Sequence, residues 1–209
     1  MNKSLTVGAA SAALLLTLTG CGDSGTDQSA ATTGPAAVTT SVNAENGAGV
    51  HNDADVAFAV GMASHHSEAI EMSEMLLAKQ GIDPRVVDLA QQIKAEQGPE
   101  LEQLNAWLTE WGQAPRATTT TGMNMPGAGG GEDTGMMSAE DMAALSDAQG
   151  VDATKLFLTQ MTEHHTGAII MARTEVADGQ NAQAKAMAQN IITTQQQELT
   201  TMEQLLSTL

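Results

Sequence analysis

Phe58-Ala-Val-Gly-Met62-Ala-Ser-His65-His66-Ser-Glu-Ala69-Ile70-Glu-Met72 returns ninety-nine residues later as Phe157-Leu-Thr-Gln-Met161-Thr-Glu-His164-His165-Thr-Gly-Ala168-Ile169-Ile-Met171. Seven of the fifteen positions are identical: Phe, Met, His, His, Ala, Ile and Met. What recurs is apolar or able to bind a soft metal, while the residues between drift. At about 100° per residue in an α-helix, Met62, His65, His66, Ala69 and Met72 fall within an arc of roughly 120°. The second copy places Met161, His164, His165, Ala168 and Met171 in the same way, so each copy presents one Met/His stripe.

The repeat continues at an offset of ninety-eight, with Leu89, Ala90, Ile93, Gln97, Glu100, Leu101 and Leu104 matching Met187, Ala188, Ile191, Gln195, Glu198, Leu199 and Met202. A one-residue deletion in the turn near Gly81 and Gly179 accounts for the change. Each unit reads as helix, short turn, helix, and a hairpin that cannot bury its own apolar face must stack on its partner. The expected fold is all-α, a ferritin-like four-helix bundle formed by two duplicated helical hairpins. With two Phe, two Trp and no Tyr against thirteen Met, the core must be aliphatic. The period-two runs of β-branched and aromatic residues that mark a sheet are missing.

The N-terminus carries Lys3, an apolar run from Leu5 to Leu18, and then Leu18-Thr19-Gly20-Cys21. This reads as a signal peptide over residues 1–20 that resembles a lipobox, implying cleavage before Cys21 and lipidation of its thiol. The run is shorter than the ~20 residues a spanning helix needs. Cys21 is the only cysteine, so disulfides, thiolate zinc sites and cysteine catalysis are excluded from the mature domain. The formal net charge of −17 repels nucleic acid and attracts cations.

Residues 21–52 are Gly, Ser, Thr, Ala and acidic residues without periodicity, a disordered tether. The duplicated domain spans 53–209. Repeat one covers 53–112, with Asp53 or Asp55 expected to cap a helix reaching Gln80. Asp83-Pro84 opens a second helix that Pro99 should kink. A Met/Gly/Thr-rich linker follows over 113–137, containing Met123, Met125, Met136 and Met137. Repeat two covers 138–209: Ser138-Ala-Glu-Asp141 resembles a capping box for a short helix, Asp152 is expected to cap the third long helix, and the fourth starts near Ala182.

Imidazole nitrogen and thioether sulfur together favour soft or borderline ions, above all copper, and thioethers bind Cu(I) without losing a proton. Four of the five histidines lie in the two pairs. Burying four imidazoles without partners is costly, and a bound cation would partner them. The candidate ligands are Met62, His65, His66, Met72, Met161, His164, His165 and Met171. Glu100 and Glu198, at the edge of the buried stripe, could accept the free N–H of these histidines and fix their tautomers. Their other reading is as solvated helix glutamates. In ferritin-like di-metal bundles two helices each give a Glu and two others each give Glu-x-x-His. Here the motif is Met-x-x-His, and exchanging carboxylate for thioether shifts the preference from iron or manganese toward copper.

These residues resemble the bacterial family catalogued as domain of unknown function 305, which is ferritin-like and carries Met-x-x-His-His with a later Met, often in two copies. The resemblance covers Asp53 to Leu209. It implies a secreted or periplasmic copper binder associated with copper tolerance.

The expectation is an extracytoplasmic lipoprotein, anchored to the bacterial membrane or envelope through Cys21. It binds Cu(I) in preference to zinc or iron, without catalytic turnover, for sequestration, tolerance or transfer to a copper-handling partner. The linker methionines are expected to form a weaker loading site. Two other readings use the same residues: a ferritin-like redox metalloenzyme with Glu100 and Glu198 as ligands, and a metal-free helical interaction module. No nucleophile and base pair or phosphate-binding Gly loop stands out.

Overall fold

The computed structural model describes residues 49–115 and 134–209. The signal peptide, Cys21, most of the tether, Met123 and Met125 lie outside the described residues. Within them the chain is all helical: α1 (Asp53–Leu77), α2 (Pro84–Glu110), α3 (Ala139–Asp147), α4 (Gly150–Asp178) and α5 (Ala182–Leu206). α1 packs along α2, α4 along α5, and α1 against α4, whereas α2 and α5 touch sparingly and the short α3 lies against α1 and α4. No described helix is long and apolar enough to cross a membrane.

The helix ends follow from local chemistry. Asn52, rather than Asp53 or Asp55, is the N-cap of α1: its side-chain oxygen accepts from the amides of Ala54 and Asp55 at 2.9 and 3.0 Å. Asp55 returns the favour by accepting the Asn52 amide at 2.6 Å, a reciprocal capping box. Its carboxylate also accepts the amides of Gln180 and Asn181 at 3.1 and 2.8 Å, tying the start of α1 to the α4–α5 turn. α1 ends at Leu77, three residues short of the expected Gln80, and Gly81 takes the left-handed conformation (φ 75°) in the turn that follows. Asp83 caps α2 with Pro84 in its first turn. The helix runs on through Pro99, whose missing N–H leaves the carbonyl four residues earlier without its helical donor. α4 begins at Gly150 with Gln149 as a cap lacking a side-chain bond, so Asp152 sits in the first turn instead of capping it. There it still complements the N-terminal end of the helix dipole.

Two apolar clusters fill the bundle. One holds Phe58, Met62, Leu104, Trp107, Ala168 and Ile191, with Met171 packed against it. The other holds Ala69, Met72, Leu76, Phe157, Met161 and Met202. Each fully buried Leu, Ile, Phe or Met side chain among them contributes about 1.5–3 kcal/mol. Along α1 the first cluster ends at Ala63 and the second starts at Ala69. Between them the core is interrupted by a polar layer, and that layer is the histidines.

Candidate metal centre

His65, His66, His164 and His165 are all fully buried. Adjacent residues on a helix point about 100° apart, and each pair divides accordingly. The His65 and His164 rings meet across the α1–α4 contact, their centroids 3.6 Å apart and their planes inclined by 35°. His66 and His165 turn toward the outer helices. His66 Nε2–H donates to Glu100 Oε2 of α2 at 2.7 Å, and His165 Nε2–H donates to Glu198 Oε2 of α5 at 2.7 Å. The same bond, at the same length, thus occurs in both halves.

The two halves differ where the linker returns. His65 Nε2–H donates to the Thr134 carbonyl at 3.0 Å. The Met137 amide donates to Glu68 Oε2 at 2.9 Å, and that oxygen lies 3.3 Å from His164 Nε2. Residues Thr134 to Met137 therefore form a strap over the face of α1 and α4 to which His65 and His164 turn. Gly167 makes the strap possible, because a Cβ there would collide with the backbone of Thr134 and Gly135. Gly135, with φ 70°, passes close over the Glu163 carbonyl.

The electrostatics of the strap face disfavour a charge on His65 and His164. Burial, then the neighbouring imidazoles, hold His65 and His164 well below the usual histidine range. Burial pushes Glu68 up to about 7, against the Met137 amide, which favours its ionised form.

The Nδ1 atoms of all four histidines are buried with no hydrogen-bond partner. In His65, His66 and His165 the Nε2–H is committed to an oxygen, so in the neutral ring Nδ1 carries the free lone pair. Orphaned buried nitrogens are rare in folded proteins and ask for an explanation. A metal ion is one that fits, since an imidazole that ligates through one nitrogen typically donates its other N–H to a carboxylate or carbonyl.

The thioethers sort by cluster. Met62 and Met171 belong to the cluster on one side of the histidine layer, and Met171 Sδ lies beside Gly61 on α1. Met72 and Met161 share the cluster on the other side. Each side thus takes one methionine from each half of the chain. All are fully buried except Met171, which is partly so. The eight candidate residues therefore form a histidine layer flanked by two thioether pairs. Among the described residues no three imidazole, thiol or carboxylate groups converge closely enough to hold an ion by themselves. An ion here would draw on sulfur as well as nitrogen. Of the linker methionines, Met136 is exposed and Met137 is partly buried against the second cluster.

Sequence pattern did not single out Glu68, Thr134 or Gly167. The available signal was a mismatch: Glu68 and Gly167 occupy equivalent places in the two motif copies, and a carboxylate three residues after His65 shares its helix face.

The family model for a domain of unknown function, DUF305, matches residues 55–206. A crystallised DUF305 fragment from Deinococcus radiodurans is 28% identical with a TM-score of 0.66, over 77% of this chain and 100% of that one. A DUF305 protein from Streptomyces coelicolor, described as a candidate secreted protein, is 29% identical with a TM-score of 0.64, over 74% and 91% of the two chains. CopM in its Cu(II)-bound form is 26% identical with a TM-score of 0.60, over 74% and 96%. CopM is also known in Cu(I)-bound and silver-bound forms. No curated protein matches the sequence.

Proposed function

The chain belongs to the DUF305 family, and we propose that this member is an extracytoplasmic, lipid-anchored copper-binding protein that holds Cu(I) for sequestration or transfer, without catalytic turnover. One observation carries the reading. Four buried imidazole Nδ1 atoms lack partners, and buried thioethers flank them on both sides. Such a donor set suits a soft monovalent ion, which needs no deprotonation of sulfur and gains little from hard carboxylates. Glu100 and Glu198 would act behind the ligands, fixing His66 and His165 with the N–H on Nε2. Copper- and silver-bound forms of CopM, at about a quarter identity, support the choice of ion. The description of the Streptomyces neighbour as a candidate secreted protein supports the location.

In this reading Met123, Met125, Met136 and Met137 form a weaker loading site for copper. Replacing Met123, Met125 and Met136 by Leu should slow copper uptake and leave the final affinity unchanged.

Competition titrations under reducing conditions test the main claim. The full chain should take Cu(I) in clear preference to Zn(II). Equal or stronger zinc binding would replace the thioether site by one built on His and Glu. A redox centre ligated by Glu100 and Glu198 stands second, because each carboxylate already accepts an imidazole N–H. Iron found with the purified protein would promote it.

A further inference from the structure

We infer that the cavity between α2 and α5 is a second cation site, one that takes a hydrated, hard divalent ion such as Mn2+ or Mg2+. It does not depend on the copper reading. The cavity measures about 240 Å3 and is lined by Glu96, Gln97 and Glu100 of α2 and by Thr194, Gln195 and Glu198 of α5. It lies between the two outer helices, which touch sparingly, and its lining includes Glu100 and Glu198, the acceptors of His66 and His165.

The observation that points to a ligand is the pair of glutamines. Gln97 is 3% exposed and Gln195 is 2% exposed, yet neither the nitrogen nor the oxygen of either amide has a hydrogen-bond partner. Glu198 Oε1 is likewise buried and unpartnered, while its Oε2 is held by His165. A buried polar group left unsatisfied costs about 1–3 kcal/mol. Here two amides at repeat-equivalent positions line the same cavity in that state, which calls for a shared occupant.

The lining decides what the occupant is. It holds three carboxylates and no lysine or arginine, so an anion is excluded. Its acceptors are all oxygens, from carboxylate, amide or hydroxyl, which is the donor set of hard cations and a poor one for Cu(I). The carboxylates also crowd one another. Burial and then the charges of Glu198 and Glu100 push Glu96 up, with Gln92 and His165 opposing. A cation would relieve that repulsion. The ion must keep water, since no three carboxylates or imidazoles converge on one point among the described residues. The cavity has room for several waters, as an ion that dehydrates reluctantly requires.

The probe is Mn2+, titrated into the metal-stripped full chain and followed by loss of the paramagnetic spectrum of the free aquo ion. The wild type should bind about one Mn2+ that Mg2+ displaces. E96Q should weaken binding severalfold, Q97L/Q195L should abolish it, and H65A/H164A should retain it. Absence of bound Mn2+ in the wild type would overturn the site. So would binding that E96Q and Q97L/Q195L leave unchanged, because the ion would then sit elsewhere on the acidic surface. Should Q97L/Q195L fail to fold by circular dichroism, the partly exposed Glu96 carries the test alone. Mn2+ binding without Cu(I) binding would sink the copper proposal and leave this one standing.

Discussion

Glu68 and Gly167 stand at the same place in the two motif copies, and the chain uses their difference to lay one strap across both. Glu68 accepts the Met137 amide at 2.9 Å, while Gly167 leaves the space through which Thr134 and Gly135 pass. A two-fold arrangement of identical halves could not bind a single asymmetric segment in this way. The strap closes the His65 and His164 face, and leaves His66 and His165 beside the seam between α2 and α5.

G167A tests that arrangement. In an ordinary helix interior, Gly to Ala stabilises by roughly 0.5–1 kcal/mol. Here the added methyl meets the backbone of Thr134 and Gly135, so the sign should reverse, with a loss of about 1–3 kcal/mol typical of overpacking. Hydrogen exchange should show the Met137 amide losing protection while the amides of α4 keep theirs. A variant more stable than the parent, with the Met137 amide still protected, would mean that the strap does not rest on Gly167.

Much of the helical frame was legible because its punctuation is strong. Gly81, Asp83-Pro84 and Ser138-x-x-Asp141 each perform the local task that their chemistry suits. The cap of α1 was not legible, because Asn52, Asp53 and Asp55 are all competent caps. Only the tertiary bonds from Asp55 to Gln180 and Asn181 show why Asn52 takes the role. The stripe predicted which residues would be buried, but not that the thioethers would pair across the halves on either side of the histidines. That depends on how α1 crosses α4, which periodicity does not encode. The strap has no periodicity at all, and the cavity arises from the sparse contact of α2 with α5, a property of packing.

Glu175 should give stability a measurable pH dependence. It is 1% exposed, and burial followed by the neighbouring Asp55 pushes its carboxyl from 4.5 up to about 8. With the folded value raised, its contribution is fully present below pH 4.5 and is lost as pH rises through about 8. The slope can reach about 1.4 kcal/mol per pH unit within that window. Asp55 has the opposite sign: its carboxyl is lowered from 3.8 by hydrogen bonds that outweigh burial, and its contribution is lost on acidification. Thermal melts of E175Q should be flatter than the parent between pH 4.5 and 8, with the variant gaining relative stability at the alkaline end. Parallel curves would show that Glu175 ionises as freely in the folded chain as in the unfolded one.

The anchor is tested in the cell. If Cys21 carries the lipid, C21S should move the protein from the membrane fraction to the soluble extracytoplasmic or secreted fraction. A processed variant that remains with the membrane would require another attachment.

The sorting of the methionines sets the last test, whether the copper site belongs to each half or to both. His65 and His164 touch at 3.6 Å between ring centroids, and each thioether pair takes one member from each half. Ligands serving one ion act as a unit, so removing any one should cost nearly as much as removing several. H65A/H66A and H164A/H165A should therefore each abolish most high-affinity Cu(I) binding, and the quadruple variant should be little worse than either. Within the thioethers, M62L and M171L should be strongly non-additive with each other, and so should M72L and M161L. Leucine keeps the packing volume within about 1.5 kcal/mol of stability, so the loss reads out binding and not unfolding. Half the copper retained at undiminished affinity in each histidine double variant would instead assign an independent site to each hairpin. The contact between His65 and His164 would then be packing alone.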